Sequence, residues 1–271
     1  MIYIYSLIFG FIQGITEFVP ISSSGHLVVL HDIWQLSMID NLAFDVALHL
    51  GTALAVIIFF RIKLLRYIVV VLQVFLPKRT ADKDDLKEAL LLIYATIPAA
   101  IVGGIFSKHI ESFFRNTWTV IITLSVGAVL FFWAERVSQK KKDFSQISIV
   151  QAVYIGIAQV LALIPGVSRS GITIIAGMSA KLKRAQAAKF SFLMSVPIIL
   201  GAGFFQMIKV KWELLSQTEL YLFALGFISS FVVGYLVIKF LLKFLEKHSL
   251  RVFAWYRLGL ALILLIWMIL R

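Results

Sequence analysis

The chain has 271 residues, of which 61% are apolar and 15% charged, and a formal net charge of +12. An ordinary soluble chain carries about 25% charged residues, so this composition leaves too little polar surface to cover a water-soluble core, and it points to a membrane protein. There is no cysteine, which excludes a disulfide framework and a thiolate metal site.

Met1 leads straight into apolar sequence, with no basic n-region or small-residue cleavage site, so no cleavable signal is expected. The first apolar region, about 1–30, is interrupted by PISSSGH, Pro20 to His26. Apolar stretches able to span a hydrocarbon core of about 30 Å follow at 41–60, 88–107 and 117–135. A second interrupted region, about 147–180, carries PGVSRSG, Pro165 to Gly171. Three more spans are expected at 187–207, 220–241 and 252–270. The stretch 64–76 is too short to span comfortably and is expected at the cytoplasmic interface. Irregular backbone at membrane depth is tolerated only where protein buries it or where it lines a polar cavity. Each interrupted region is therefore read as a re-entrant pair of half-helices. The predicted fold is an all-α integral membrane protein with six transmembrane helices plus two re-entrant half-helix pairs.

Lys and Arg crowd four segments, Arg61 to Lys87, Arg136 to Lys142, Lys181 to Lys189 and Lys239 to Arg251, which hold 19 of the 26 basic residues. These are assigned to the cytoplasm. That accounts for the positive charge and removes the case for nucleic-acid binding. The connections 31–40, 107–116 and 208–219 are poor in basic residues and are expected outside, which puts Met1 and Arg271 both outside. Each half then holds one re-entrant element and three spans, an odd number, so the halves, 1–135 and 147–271, run inverted within a single membrane domain. Displacement by 146 residues agrees: it pairs Gly10 with Gly156, Gln13 with Gln159, Ser22 with Ser168, Ser24 with Ser170, Gly25 with Gly171, Phe44 with Phe190 and Phe59 with Phe205. Inverted repeats with paired broken helices place a binding site near the repeat interface.

The first break supplies the reactive groups. Gln13 and Glu17 are four apart and share a helix face. An intramembrane carboxylate is costly unless paired or hydrated, so Glu17 is a functional candidate. Ser22, Ser23 and Ser24 can cap the second half-helix, whose first N–H groups make an anion site. Gly25 permits close backbone approach, and His26 adds an acid, base or nucleophile. The second break offers Arg169 between Ser168 and Ser170, with Thr173 a turn later. A guanidinium suits phosphate oxygens in bidentate fashion, and in an empty site Arg169 can pair with Glu17. Together the breaks describe a phosphate-handling site with a nucleophile.

The pair ITEFVPISSSGHL and LIPGVSRSGIT resembles the two signature motifs of the undecaprenyl-diphosphatase family of the bacitracin-resistance type. The likeness extends along the chain through FDVALHLGT, Phe44 to Thr52, and AAKFSFLMSVP, Ala187 to Pro197. The resemblance implies hydrolysis of undecaprenyl diphosphate to the monophosphate and inorganic phosphate, recycling the lipid carrier for peptidoglycan synthesis. It also implies a multi-pass protein of the bacterial inner membrane with its active site open to the outer face, and bacitracin resistance on overproduction. A divalent cation, Mg²⁺ with Ca²⁺ as the alternative, and a polyisoprenyl diphosphate lipid partner follow from it; a homodimer is left open. Carried over, the site residues are Glu17, Ser22, Ser23, His26, Ser168, Arg169, Ser170 and Thr173. Many relatives have Glu at the position of Gln13, and the motif accepts either, so metal binding here leans on Glu17 and the substrate's own diphosphate. Ser23 is the preferred nucleophile over His26, with His26 or Glu17 as base. SSSGH and SRS also echo the acid-phosphatase superfamily, but its nucleophilic histidine would fall at Ile175, so that reading fails. A lipid-carrier or ion transporter on the inverted-repeat scaffold is the alternative class; it has no need of Ser, His and Glu together.

Overall fold

The computed structural model describes residues 2–34, 41–75, 82–210 and 215–270, without the side chains of residues 41, 42, 108 and 111. The termini at 1 and 271, the expected outer connection beyond residue 34, residues 211–214 of that at 208–219 and the basic residues at 78 and 79 lie outside this description. The described residues are helical: α1 (Ile2–Phe18), α2 (Ser23–Trp34), α3 (Asn41–Phe59), α4 (Arg61–Gln73), α5 (Lys83–Phe114), α6 (Thr117–Val137), α7 (Ile149–Val160), α8 (Arg169–Ser179), α9 (Arg184–Met207), α10 (Gln217–Lys247) and α11 (Arg251–Leu270). Five are long and apolar enough to cross a membrane: α5 over Lys83–Ser107, α6, α9, α10 and α11. The sixth expected span corresponds to α3, apolar but shorter over Ala43–Phe59. Both expected breaks are present, between α1 and α2 and between α7 and α8, where a short 3₁₀ turn (Leu161–Leu163) precedes the break. In each case the two helices pack on one another.

One boundary differs. The expected connection 107–116 is largely helix, because α5 continues to Phe114 and only Arg115 and Asn116 separate it from α6. Charged residues end an apolar stretch without ending a helix. The helix stops where Asn116 turns extended and accepts from Thr119 N–H at 2.9 Å to cap α6.

The broken pairs lie against the long helices of the other half: α1 packs along α10, and α7 along α5. Between them α3 meets α9, and α6 meets α11. The outward faces remain apolar, as at Ile101 and Ile105 on α5, Val129 on α6, Leu236 and Phe240 on α10, and Ile263 on α11, all exposed. Such a continuous apolar surface requires lipid.

At one end of the bundle the four basic segments meet. Lys63 Nζ lies 2.5 Å from Glu88 Oε2, and Lys87 Nζ donates to the Ser145 carbonyl at 2.6 Å. The backbone of Lys142 pairs with that of Leu182 and its neighbours. Buried Glu135 accepts from Arg184, from Lys140 at 2.7 Å and from Leu250 N–H at 2.9 Å. On α4, buried Tyr67 donates to Glu88 at 2.6 Å; burial and that carboxylate hold its hydroxyl well above the usual phenol range.

Candidate active site

The two breaks share one backbone solution. Ser22 and Ser168 both sit at positive φ, 77° and 71°. That conformation costs a non-glycine residue about 1–3 kcal/mol and is found where function holds it. Each serine caps the helix it precedes: Ser22 Oγ accepts from Gly25 N–H, and Ser168 Oγ from Gly171 N–H, each at 3.1 Å. The breaks also touch, since Gly166 N–H donates to Ser24 Oγ at 3.3 Å. Gly166 has φ 89°, and a Cβ there would stand 2.0 Å from Thr123 Oγ1, so only glycine fits this turn.

This geometry brings Glu17, Ser23, Gln13 and Arg169 together. Arg169 Nη2 donates to Glu17 Oε1, and its Nη1 donates to the Ser191 carbonyl at 3.0 Å. Ser23 Oγ donates to the other carboxylate oxygen, Oε2, at 2.8 Å. Gln13 Nε2 lies 3.1 Å from Oε2 and 2.8 Å from His49 Nδ1, so its two N–H groups can serve both. Glu17 is buried, and its charge is met by a guanidinium, a hydroxyl and an amide, which is what a carboxylate at this depth requires.

The other expected residues divide. Ser22 and Ser168 spend their hydroxyls on the caps, and Ser170 Oγ lies 3.3 Å from Ser168 Oγ. Thr173 is buried and braces α8, donating to the Arg169 carbonyl and pairing with the Ser191 hydroxyl, each at 2.7 Å. Through Ser191 it fixes the carbonyl that Arg169 uses. His26 turns away from Ser23: Nδ1 is 2.7 Å from the Ser22 carbonyl, and Nε2 is 2.9 Å from Tyr256 Oη, with the two rings stacked.

Three residues of the neighbourhood were not singled out from the sequence. His49 and Asp45, four apart on α3, line a cavity of about 220 Å³ with Ser24, Arg115 and Pro165. Asp45 ties His31 at 2.8 Å and Arg115 at 3.1 Å. A charged pair at helical spacing inside an apolar stretch carried the signal. Arg257, the third, is fully buried on α11.

The model of the family described as "Bacitracin resistance protein BacA" matches residues 6–263. The chain belongs to this family. It is 44% identical over 257 residues to an undecaprenyl-diphosphatase of Rubrobacter xylanophilus, covering 94% of each chain. It is 41% identical to one of Caldicellulosiruptor bescii over 98% of this chain and 97% of that one. A third, from Acinetobacter baumannii, is 38% identical over 97% and 94%. The family match spans both breaks, so the Glu17–Ser23–Arg169 cluster lies wholly within the BacA region.

No group of three His, Cys, Asp or Glu side chains that could hold a metal ion exists among the described residues. The donor set does suit a cation carried mainly by its substrate. Gln13 Oε1 is buried without a partner, next to Glu17, and Mg²⁺ commonly takes one or two protein oxygens and completes its shell with phosphates and water.

Proposed function

We propose that this chain is an integral membrane phosphatase that hydrolyses undecaprenyl diphosphate to undecaprenyl phosphate and inorganic phosphate, recycling the lipid carrier for peptidoglycan synthesis. The observation that carries the reading is the Ser23 hydroxyl donating at 2.8 Å to a carboxylate whose second oxygen holds Arg169. A nucleophile, its base and a phosphate-binding fork are thereby in register.

In the resting arrangement Arg169 and Glu17 neutralise each other. An incoming diphosphate competes for the guanidinium, and its oxygens also meet the first N–H groups of α2 and α8. Withdrawal of Arg169 frees Glu17 to take the Ser23 proton. Ser23 Oγ then attacks the terminal phosphorus, and the bond to the bridging oxygen breaks, releasing undecaprenyl phosphate. Glu17 passes that proton to the departing phosphate and then takes one from water, which attacks the phosphoserine; the bond from phosphorus to Ser23 Oγ breaks, phosphate leaves, and Glu17 gives its proton to Ser23 Oγ. His26 faces Tyr256 and the Ser22 carbonyl and braces the first break, leaving Glu17 as the base. A divalent cation, Mg²⁺ or Ca²⁺, would be held by Gln13 Oε1, Glu17 and the diphosphate, and would supply charge neutralisation of the phosphates.

The fold proposed around this site is an inverted repeat, 1–135 and 147–271, with six spans and two re-entrant pairs. The packing supports it, because the contact of α1 with α10 corresponds to that of α7 with α5 under the 146-residue displacement. Gathering of the four basic segments at one end supports a cytoplasmic end there, with both termini and the site opening to the outer face of the inner membrane. Phosphate release from polyisoprenyl diphosphate by purified protein, with and without chelator, tests the reading. Absence of phosphate release under both conditions would overturn it.

A further inference from the structure

We propose that Arg257 is a positioning residue that sets the polarity of the phosphate site by gathering the backbone carbonyls of both breaks onto one guanidinium. Arg257 is fully buried, and all its described hydrogen bonds run to main-chain oxygens. Nη1 donates to Pro20 O at 3.4 Å and Val167 O at 3.2 Å; Nη2 donates to Gly166 O at 3.0 Å and Thr123 O at 2.9 Å; Nε donates to Leu124 O at 3.2 Å. One carbonyl thus comes from the first break, two from the second, and two from α6. No carboxylate is within ion-pair distance of it among the described residues.

The consequence follows from peptide geometry. In a planar trans peptide the carbonyl and the following N–H point in opposite directions, and no peptide here is cis. Turning the Pro20, Gly166 and Val167 oxygens onto Arg257 sends the following N–H groups the other way: those of Ile21 and Val167 close turns onto the Val19 and Ile164 carbonyls at 2.7 and 3.3 Å, and that of Ser168 is left facing away from Arg257. The breaks therefore withdraw their negative ends from an anion. Ser22 and Ser168, the strained caps, each lie within two residues of a gripped carbonyl, so the same contact helps to hold their positive φ. The neighbouring Tyr256 reaches His26 at 2.9 Å, so α11 grips the first break at two points. The enzyme also makes room for this side chain: a Cβ on Gly127 of α6 would stand 2.2 Å from Arg257 Nη2.

The proposal rests on the phosphatase reading, and phosphate binding tests it separately from turnover. Full-length Arg257→Lys and Gly127→Ala are purified and their thermal unfolding compared with the native chain. The affinities for inorganic phosphate and for an uncharged polyisoprenol are then measured, with kcat and KM for polyisoprenyl diphosphate. Lysine keeps the charge but cannot span five carbonyls; alanine at 127 keeps the guanidinium and displaces it. Both variants are expected to weaken phosphate binding by about tenfold or more and to lower kcat by about 10²-fold, with polyisoprenol affinity unchanged. Phosphate affinity and kcat within about twofold of native in both would overturn the proposal. So would polyisoprenol affinity falling in step with phosphate affinity, since that marks general loosening of the fold. If Arg257→Lys does not fold, Gly127→Ala decides between the same outcomes. A native protein that binds phosphate but releases none from the diphosphate would sink the phosphatase reading and leave this test intact.

Discussion

Arg169→Lys is the most direct test of the cluster. In the free protein the guanidinium reaches two acceptors at once, Glu17 Oε1 through Nη2 and the Ser191 carbonyl through Nη1 at 3.0 Å. An ammonium is a point donor, and one nitrogen cannot reproduce the planar fork. The variant should keep a charge beside Glu17 and so should fold, because the buried carboxylate retains a counter-ion. Removing the partner outright, as in Arg169→Ala, strands that carboxylate, at a cost of about 3–5 kcal/mol in stability. During turnover the lysine variant can hold one phosphate oxygen where arginine holds two. Losing one such donor at developing charge costs about 10²–10³ in kcat, or about 2.7–4 kcal/mol of barrier. The assay is phosphate release from polyisoprenyl diphosphate in detergent micelles, with kcat and KM resolved and unfolding temperature measured in parallel. A fall in kcat with KM little changed fits a contact that strengthens in the transition state. Turnover within about threefold of native, in a folded protein, would refute the assignment and leave Arg169 as a structural counter-ion to Glu17.

Ser23→Ala should abolish both turnover and an acid-stable phosphoenzyme trapped by rapid quench, whereas His26→Ala, which removes the Tyr256 brace and leaves the Glu17 base in place, should retain most of the rate; an acid-labile adduct surviving in Ser23→Ala would move the nucleophile to His26. Gln13→Glu should tighten the response to chelator titration, because it adds a carboxylate beside Glu17; an unchanged titration would deny that position a metal. Gln159→Leu should raise the unfolding temperature without loss of activity, since both polar atoms of Gln159 are buried without partners, at a cost of about 1–3 kcal/mol for such a group. Accessibility tags at both termini should report the outer face and one near Lys141 the cytoplasm; a cytoplasmic C-terminus would break the inverted repeat.

What could be read along the chain was what is written locally. The breaks were legible because Pro, Gly and Ser interrupt apolar runs, and the caps were legible because Ser22 and Ser168 each stand three residues before a glycine whose N–H they accept. The end of α5 was not, because hydropathy reports where a helix leaves the hydrocarbon and not where its hydrogen bonds stop. Within the site, Glu17, Ser23 and Arg169 stood out as polar groups at the interruptions. His49 and Asp45 sit in an unbroken stretch that reads as an ordinary span, though their spacing was visible. Arg257 was the hardest to find. Its partners are carbonyls, which every residue has, and they come from three segments that lie 90 to 237 residues from it along the chain.

The two breaks are alike in backbone and unlike in equipment, and that contrast explains why one site forms instead of two. Displacement by 146 residues sets Ser23 opposite Arg169, Glu17 opposite Leu163, His26 opposite Ile172 and His49 opposite Ser195. A second carboxylate at 163 with a serine at 169 would place two buried anions near the interface with no arginine between them, a like-charge pair that each would disfavour. Leucine at 163 and arginine at 169 leave a single carboxylate and give it a counter-ion. The two glutamines differ accordingly: Gln13 Nε2 serves Glu17 and His49 while its Oε1 is unpartnered, whereas Gln159, with Leu163 and Ser195 at the matching positions, has neither side-chain polar atom partnered among the described residues. What the second break shares with the first is the cap and the positive φ of its serine, and with its own turn at Gly166 these present Arg169 to the carboxylate and hydroxyl of the first.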